Sequence, residues 1–197
     1  MEYKQFLGKM SCKDYLKYAL FSLMEEKSIH KITVKELCDR AMINRSTFYA
    51  HYTDMNSFYQ SVMVEICAGL VEAVESESGI HDLLWDKQAA IRRYTKWYQH
   101  VCQHADEFRL FLGTNGTAEF REILVRQGVD WYSHLLNPVK SRYEGQVSKE
   151  VLVHYIVKAH MGLLEYYLDS GMKYSPEYMA VQMVNITMAG PYSLLER

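Results

Sequence analysis

Arg45, Ser46, Thr47, Tyr49 and His51 bring five hydrogen-bonding side chains into seven residues. A guanidinium can fork onto the O6 and N7 of guanine, and a Thr methyl or a Tyr ring can meet the thymine methyl. Tyr49 and His51 come last in the run, where a helix lying in a groove passes the phosphate backbone. These residue types suit a surface that grips duplex DNA. Other chemistries are poorly represented. No nucleophile-and-base motif, Gly-rich phosphate loop or metal triad occurs, so no enzyme activity and no cofactor are expected. His100 and His104 stand four apart in His-Val-Cys-Gln-His, without the Glu of a zinc protease. His154 and His160 do not share a helix face, and no metal site is expected. Cys12, Cys38, Cys67 and Cys102 are spaced by 26, 29 and 35 residues and match no zinc or redox pattern. They are read as reduced, mostly buried thiols of a cytoplasmic protein.

The donors need elements to hold them. The chain has 197 residues, only three prolines and a hydrophobic content of 49%. Its apolar residues recur near every 3.6 positions, which predicts an all-α protein with a sizeable core. A first helix is expected over 13–27, with Tyr15, Leu16, Ala19, Leu20, Leu23 and Met24 on one face. The segment 27–32 reads as a connector. Thr33 with Glu36 forms a capping box that opens a short helix burying Val34, Leu37, Cys38 and Ala41. Asn44 caps a third helix over 45–52, with Ile43 and Phe48 inward. Asp54 caps a fourth, running to about residue 76 with Phe58, Val62, Ile66, Leu70 and Val74 inward. Further helices are expected near 87–104, 106–112, 117–136, 147–170 and 176–190. Gly171 stops the fourth of these five, and Ser175-Pro176 opens the last. No apolar run approaches the ~18 residues of a membrane span. The N-terminus has no signal-peptide pattern, and no membrane partner is expected.

The second and third helices, short, amphipathic and about three residues apart, have the spacing of a helix-turn-helix. In that motif the first of the pair props the second into the major groove. Charge agrees in sign. Net charge is −2 for the chain, yet residues 1–52 hold nine Lys and Arg against six Asp and Glu. A basic head on an acidic body fits a polyanion-binding head.

The stretch ITVKELCDRAMINRSTFYAHYTDMNSFYQSV, 32–62, resembles the DNA-binding head of the tetracycline-repressor (TetR/AcrR) family. The likeness covers residues 15–62. It rests on Thr33, Leu37, Ala41, Ile43, Phe48, Tyr49 and Tyr52, with Phe58 as the following apolar anchor. Residues 162–180 are similar to a C-terminal segment of the dihydroxyacetone-kinase regulator-like branch. The resemblance implies a helix-turn-helix DNA-binding domain over 1–53 and a helical effector-binding and dimerisation domain over 54–197. It implies that Thr33 and Lys35 approach phosphates or the groove edge. Asn44, Arg45, Ser46 and Thr47 would face bases, Tyr49 would straddle base and backbone, and His51 would hold a phosphate. Two positions depart from the pattern. Met42 replaces the turn glycine, and Met55 replaces a Lys that clamps a phosphate. Losing that contact flattens the salt dependence of binding by about one unit.

For the body, the resemblance implies a homodimer with an internal pocket for an unknown small-molecule effector, whose binding releases a palindromic double-stranded DNA operator. The protein would then be a repressor. The alternative keeps the fold but weakens DNA binding, giving a co-regulator that acts through a ligand or protein partner. Met63, Tyr94, Trp97, Tyr98, Phe108, Phe111, Trp131 and His134 are the candidate pocket residues, alongside Trp85 and Tyr132. A helical bundle needs large core residues too, so each also reads as plain core. Val151, Tyr155, Ala159, Gly162 and Leu163 form a stripe on one late helix, and Met179, Met183, Ile186 and Ala189 one on the next. Together they are the candidate dimer interface.

Overall fold

The computed structural model describes residues 11–75, 86–138 and 147–190. These form α1 (Cys12–Glu26), α2 (Val34–Ala41), α3 (Arg45–His51), α4 (Met55–Glu75) and α5 (Lys87–Gln103). Then come α6 (Ala105–Leu112), α7 (Ala118–Leu136), α8 (Lys149–Asp169) and α9 (Pro176–Ala189). No strand occurs among the described residues. The expected helices are present to within about two residues at each end. Trp85 lies outside the described residues. Packing divides the chain into two units, one of residues 1–65 with 109–120, the other of 66–108 with 121–197. The boundary expected at 53/54 falls between α3 and α4.

In the first unit, capping explains where the helices begin. At α1 the Asp14 N–H donates to Ser11 Oγ, while Asp14 Oδ2 accepts the Ser11 N–H (2.9 Å). At α2 the same reciprocal bonds join Thr33 and Glu36. At α4, Ser57 N–H donates to Asp54 Oδ1 (2.7 Å), and Ser57 Oγ accepts the Asp54 N–H. The core is Leu16, Leu20, Leu23 and Met24 of α1 against Leu37 and Cys38 of α2, closed by Phe48 and Phe58. Val34 and Ile43 are only half-buried.

The connector between α1 and α2 is more than a link. It contains one 3-10 turn, Ile29–Lys31, with Ile29 and Ile32 buried. Residue 115 fastens it: Ile29 N–H donates to the Asn115 carbonyl (2.9 Å), and Asn115 Nδ2 donates to the Met24 carbonyl (2.9 Å). Phe111, stacked on Phe120 and edge-on to Phe21, belongs to the same core.

In the second unit, α5 and α9 pack along each other. Tyr98 of α5 meets Tyr167 of α8 edge-on, with ring centroids 5.1 Å apart. Gly128 of α7 permits a close crossing with α8, because a Cβ there would stand 3.0 Å from Val157 Cγ1. Gly171 (φ 71°) ends α8 as expected, and Met172 follows it into the left-handed region at φ 55°.

One expectation is corrected. α4, at 21 residues, is long and apolar enough to cross a membrane by length and composition. One face of it is otherwise occupied, since Phe58, Val62, Met63, Ile66, Cys67, Leu70 and Val74 are buried in the protein, while Val64 on another face is exposed. It also carries Glu65, paired with Lys13 and Lys17, and an exposed Glu72.

Candidate functional site

The pair α2–α3 is joined by a turn built on Met42. The Met42 backbone is left-handed (φ 55°, ψ 37°), where a glycine is normally needed. The payoff is a closed helix end: Ile43 N–H reaches the Cys38 carbonyl (3.0 Å) and Met42 N–H the Asp39 carbonyl (3.3 Å). Asn44 then caps α3, its Oδ1 accepting the Ser46 N–H (3.1 Å). Phe48 is the buried residue of α3. Its ring is held among Tyr49 (5.4 Å), Tyr52 (5.5 Å) and Phe58 (5.9 Å). That aromatic cluster fixes the roll of α3 and leaves Asn44, Arg45, Ser46, Thr47, Tyr49 and His51 exposed together.

Ion pairing sharpens the charge argument. Of the basic residues in the head, Lys13 and Lys17 bind Glu65, Lys27 binds Glu36 (2.5 Å) and Arg40 binds Glu26 (2.7 Å). Lys31, Lys35 and Arg45 are exposed and make no ion pair among the described residues. Among the described residues, the cations left over therefore belong to α2, α3 and the connector before them, which composition alone could not reveal.

Thr33 sits at the expected exposed position, but its hydroxyl proton is committed. Thr33 Oγ1 donates to Glu36 Oε2 (2.8 Å) and accepts the Glu36 N–H (3.2 Å). Lys27 and the Thr33 cap together hold the Glu36 carboxyl down at about 2, so it stays ionised and keeps that proton. Of the two residues expected to approach phosphate from α2, Lys35 has charge to offer and Thr33 serves the cap. At the start of α4, Met55 is half-buried beside Asp54, and no cation stands there.

The second unit contains a cavity of about 90 Å³. Tyr94, Trp97 and Trp131 of the expected set line it, as does Tyr132. Leu70, Val71, Val74, Leu124, Gln127, Gly128, Val157, His160, Met161 and Met183 complete the wall. The other expected pocket residues do not line it. Tyr98 and Phe108 are buried elsewhere in the same unit, against Tyr167 and His100. Met63 and Phe111 are core residues of the first unit, and His134 is exposed. Sequence reading missed His160, judged only as a partner for His154. It also missed Gly128, although a glycine inside a helix, costing about 1 kcal/mol, signals close packing.

At one end of the cavity the polar groups are linked. Tyr94 and Tyr132 hydroxyls are hydrogen-bonded, Tyr132 Oη is 3.3 Å from His160 Nδ1, and His160 Nε2 is 3.0 Å from Thr187 Oγ1. Burial pushes Tyr94 up to about 12 and His160 down to about 3, so both are neutral near pH 7. The His100–His104 pair has ring centroids 4.4 Å apart, and no group of three metal-ligating side chains occurs among the described residues. Cys38 and Cys67 are buried thiols, Cys12 and Cys102 half-buried ones.

The expected dimer stripe divides. Val151 (63% exposed), Tyr155 (56%), Ala159 and Gly162 face solvent on α8, and a Cβ on Gly162 would meet nothing within 4 Å. Leu163 and Ile186 are half-buried, and Ala189 is exposed. Met179 and Met183 point the other way, at 3% and 1% exposure, into the chain's own core. The unbranched thioether fills gaps in a core as readily as at an interface, so the pattern alone did not separate the two.

Residues 92–189 match a TetR-type family model described as a transcriptional regulator C-terminal region. The HTH-type transcriptional regulator YxbF of Bacillus subtilis (strain 168) is 24% identical over 168 residues, covering 85% of this chain and 42% of that protein. The chain thus spans less than half the length of this curated relative. Among solved structures, the dihydroxyacetone kinase operon activator DhaS aligns at TM-score 0.56 and 16% identity, covering 92% of this chain and 96% of its own. The fatty acid degradation regulator FadR from Bacillus halodurans aligns at TM-score 0.61 and 14% identity, covering 96% and 99%.

Proposed function

From the premise that the chain belongs to the TetR family of transcriptional regulators, we propose that it is a cytoplasmic homodimer that binds a palindromic operator and represses from it. A small molecule in the body releases the operator. The observation that carries the DNA-binding part is α3 itself. Phe48 is locked inward, every other side chain of the helix faces out, and the unpaired cations Lys35 and Arg45 flank the same turn. Arg45, Ser46 and Thr47 read bases, Tyr49 and His51 meet the edge of the groove and the phosphates, and Lys35 adds a phosphate contact. The cavity behind Trp97 and Trp131 supports the effector reading. The exposed faces of α8 and α9 support the dimer: two such pairs would form an isologous four-helix contact. Reading adjacent major grooves would require the two α3 helices of the dimer to stand roughly 34–36 Å apart, one turn of DNA.

The test is selection of duplexes from a random pool at moderate salt. A palindromic sequence bound well above bulk DNA is the expected result. Within it, Arg45→Ala relaxes base preference at one position, costing about 1–3 kcal/mol there. His51→Ala weakens binding to every duplex alike, without changing base preference. If no selected sequence outcompetes bulk DNA, the reading fails. The co-regulator alternative then gains, and Met55 beside Asp54 is the observation in its favour. A reporter placed downstream of the selected site reads the sign of regulation, which matters because the structural neighbour DhaS is described as an activator.

A further inference from the structure

The hydrogen-bonded chain at the end of the cavity has a definite direction. Thr187 Oγ1 lies 2.7 Å from the Met183 carbonyl, which can only accept, so the Thr187 hydroxyl donates to it. Thr187 must then accept from His160 Nε2–H at 3.0 Å. That choice makes His160 Nδ1 the acceptor of the Tyr132 hydroxyl at 3.3 Å, and Tyr132 in turn accepts from Tyr94. Each member donates one proton along the chain towards α9, and the lone pairs of Tyr94 close the line at the cavity.

A second order carries the same number of protons. Thr187 donates to His160 Nε2, His160 Nδ1–H to Tyr132, Tyr132 to Tyr94, and Tyr94 outward into the cavity. Three hydroxyls rotate and one neutral imidazole exchanges its tautomer with solvent water. No proton is gained or lost, and the Met183 carbonyl keeps its place in the helical ladder. Without an acceptor in the cavity this order leaves Tyr94 donating to nothing, so it is disfavoured.

The rest of the wall narrows what could supply that acceptor. The indole N–H of Trp131 is buried with no partner among the described residues, a donor already in need of an acceptor. No Lys, Arg, Asp or Glu lines the cavity, and His160 is neutral, so a buried ligand charge would go uncompensated. At about 90 Å³ the space suits a single ring or short chain.

We propose that the cavity takes a small, uncharged, mainly apolar molecule with one carbonyl-type oxygen, and that its binding reverses the proton order of the Tyr94–Tyr132–His160–Thr187 chain. The inference rests on the effector pocket proposed above and names the ligand class. Acetophenone, ethylbenzene and benzoate are suitable probes: a ketone, its hydrocarbon counterpart and an anion. Titration by calorimetry, with nitrogen-15 NMR of the histidine ring, separates the outcomes. Acetophenone should bind roughly tenfold tighter than ethylbenzene, the advantage of one satisfied buried donor. His160 should be protonated at Nε2 when free and at Nδ1 with acetophenone bound. Tyr94→Phe, which keeps the ring, should erase both the preference and the tautomer change, whereas Tyr132→Phe should keep the preference, because Tyr94 still donates to the ketone, and abolish the tautomer change by cutting the chain. Equal binding of acetophenone and ethylbenzene, tighter binding of benzoate, or an unchanged tautomer overturns the proposal while leaving a working pocket. Failure of all three probes to bind overturns the proposal and removes the cavity's support for effector control.

Discussion

At Met42 the side chain is 92% exposed while its backbone is held left-handed. No burial offsets the crowding of its Cβ, so Met42→Gly should raise stability by about 0.5–1 kcal/mol, read as a higher urea midpoint at constant m. The sequence showed the residue out of place, and the structure shows that the turn kept its shape. His160 is the opposite case, since nothing in its neighbours along the chain marks it. Buried and pushed down to about 3 from an ordinary 6.5, it is neutral in the folded protein and takes up a proton on unfolding whenever the pH lies between those values. The unfolded state binds more protons in that window, so stability is full above pH 6.5 and falls as the pH drops. The slope approaches about 1.4 kcal/mol per pH unit. His160→Gln should flatten the pH 4–6 portion of a stability curve measured by denaturant.

Helix ends were the most legible elements, because their signals are local. Thr33 with Glu36, Asn44, Asp54 and Ser175-Pro176 are each read within four residues of sequence, and each cap is present. Thr33→Ala should cost about 1 kcal/mol and loosen the start of α2, measurable as faster amide exchange at Lys35 and Glu36. Acid does the same by another route. Glu36 is held at about 2 against an ordinary 4.5, so its contribution is intact above pH 4.5 and lost as the pH falls towards 2. Glu36→Gln should remove that acid dependence. The connector was not legible in this way. Its burial depends on Asn115, more than eighty residues away, and no periodicity near Ile29 encodes a partner so distant.

At the scale of the whole molecule, a helical stripe does not state what covers it. Val151, Tyr155, Met179 and Met183 are all apolar at helical spacing, yet the first two face solvent and the last two face the core. Gly162 tests the dimer cleanly, because its missing side chain leaves the protomer nothing to clash with. Gly162→Glu should fold normally by circular dichroism, sediment as a monomer and lose tight operator binding. A variant that remains dimeric would place the contact elsewhere. The pocket shows the same limit: aromatic content pointed to Tyr94, Trp97 and Trp131, but equally to Tyr98 and Phe108, which only pack.

The exposed thioether at Met42 has a use of its own. With carbon-13 in its methionine methyls, the protein would carry a freely rotating, narrow-lined reporter at the mouth of the α2–α3 turn. Met183, buried in the wall of the cavity that Trp97 and Trp131 also line, would give a second resonance that reports on what fills the cavity. Adding duplex should move the first signal and adding a ketone the second, so a single labelled sample would follow both equilibria without any engineered probe.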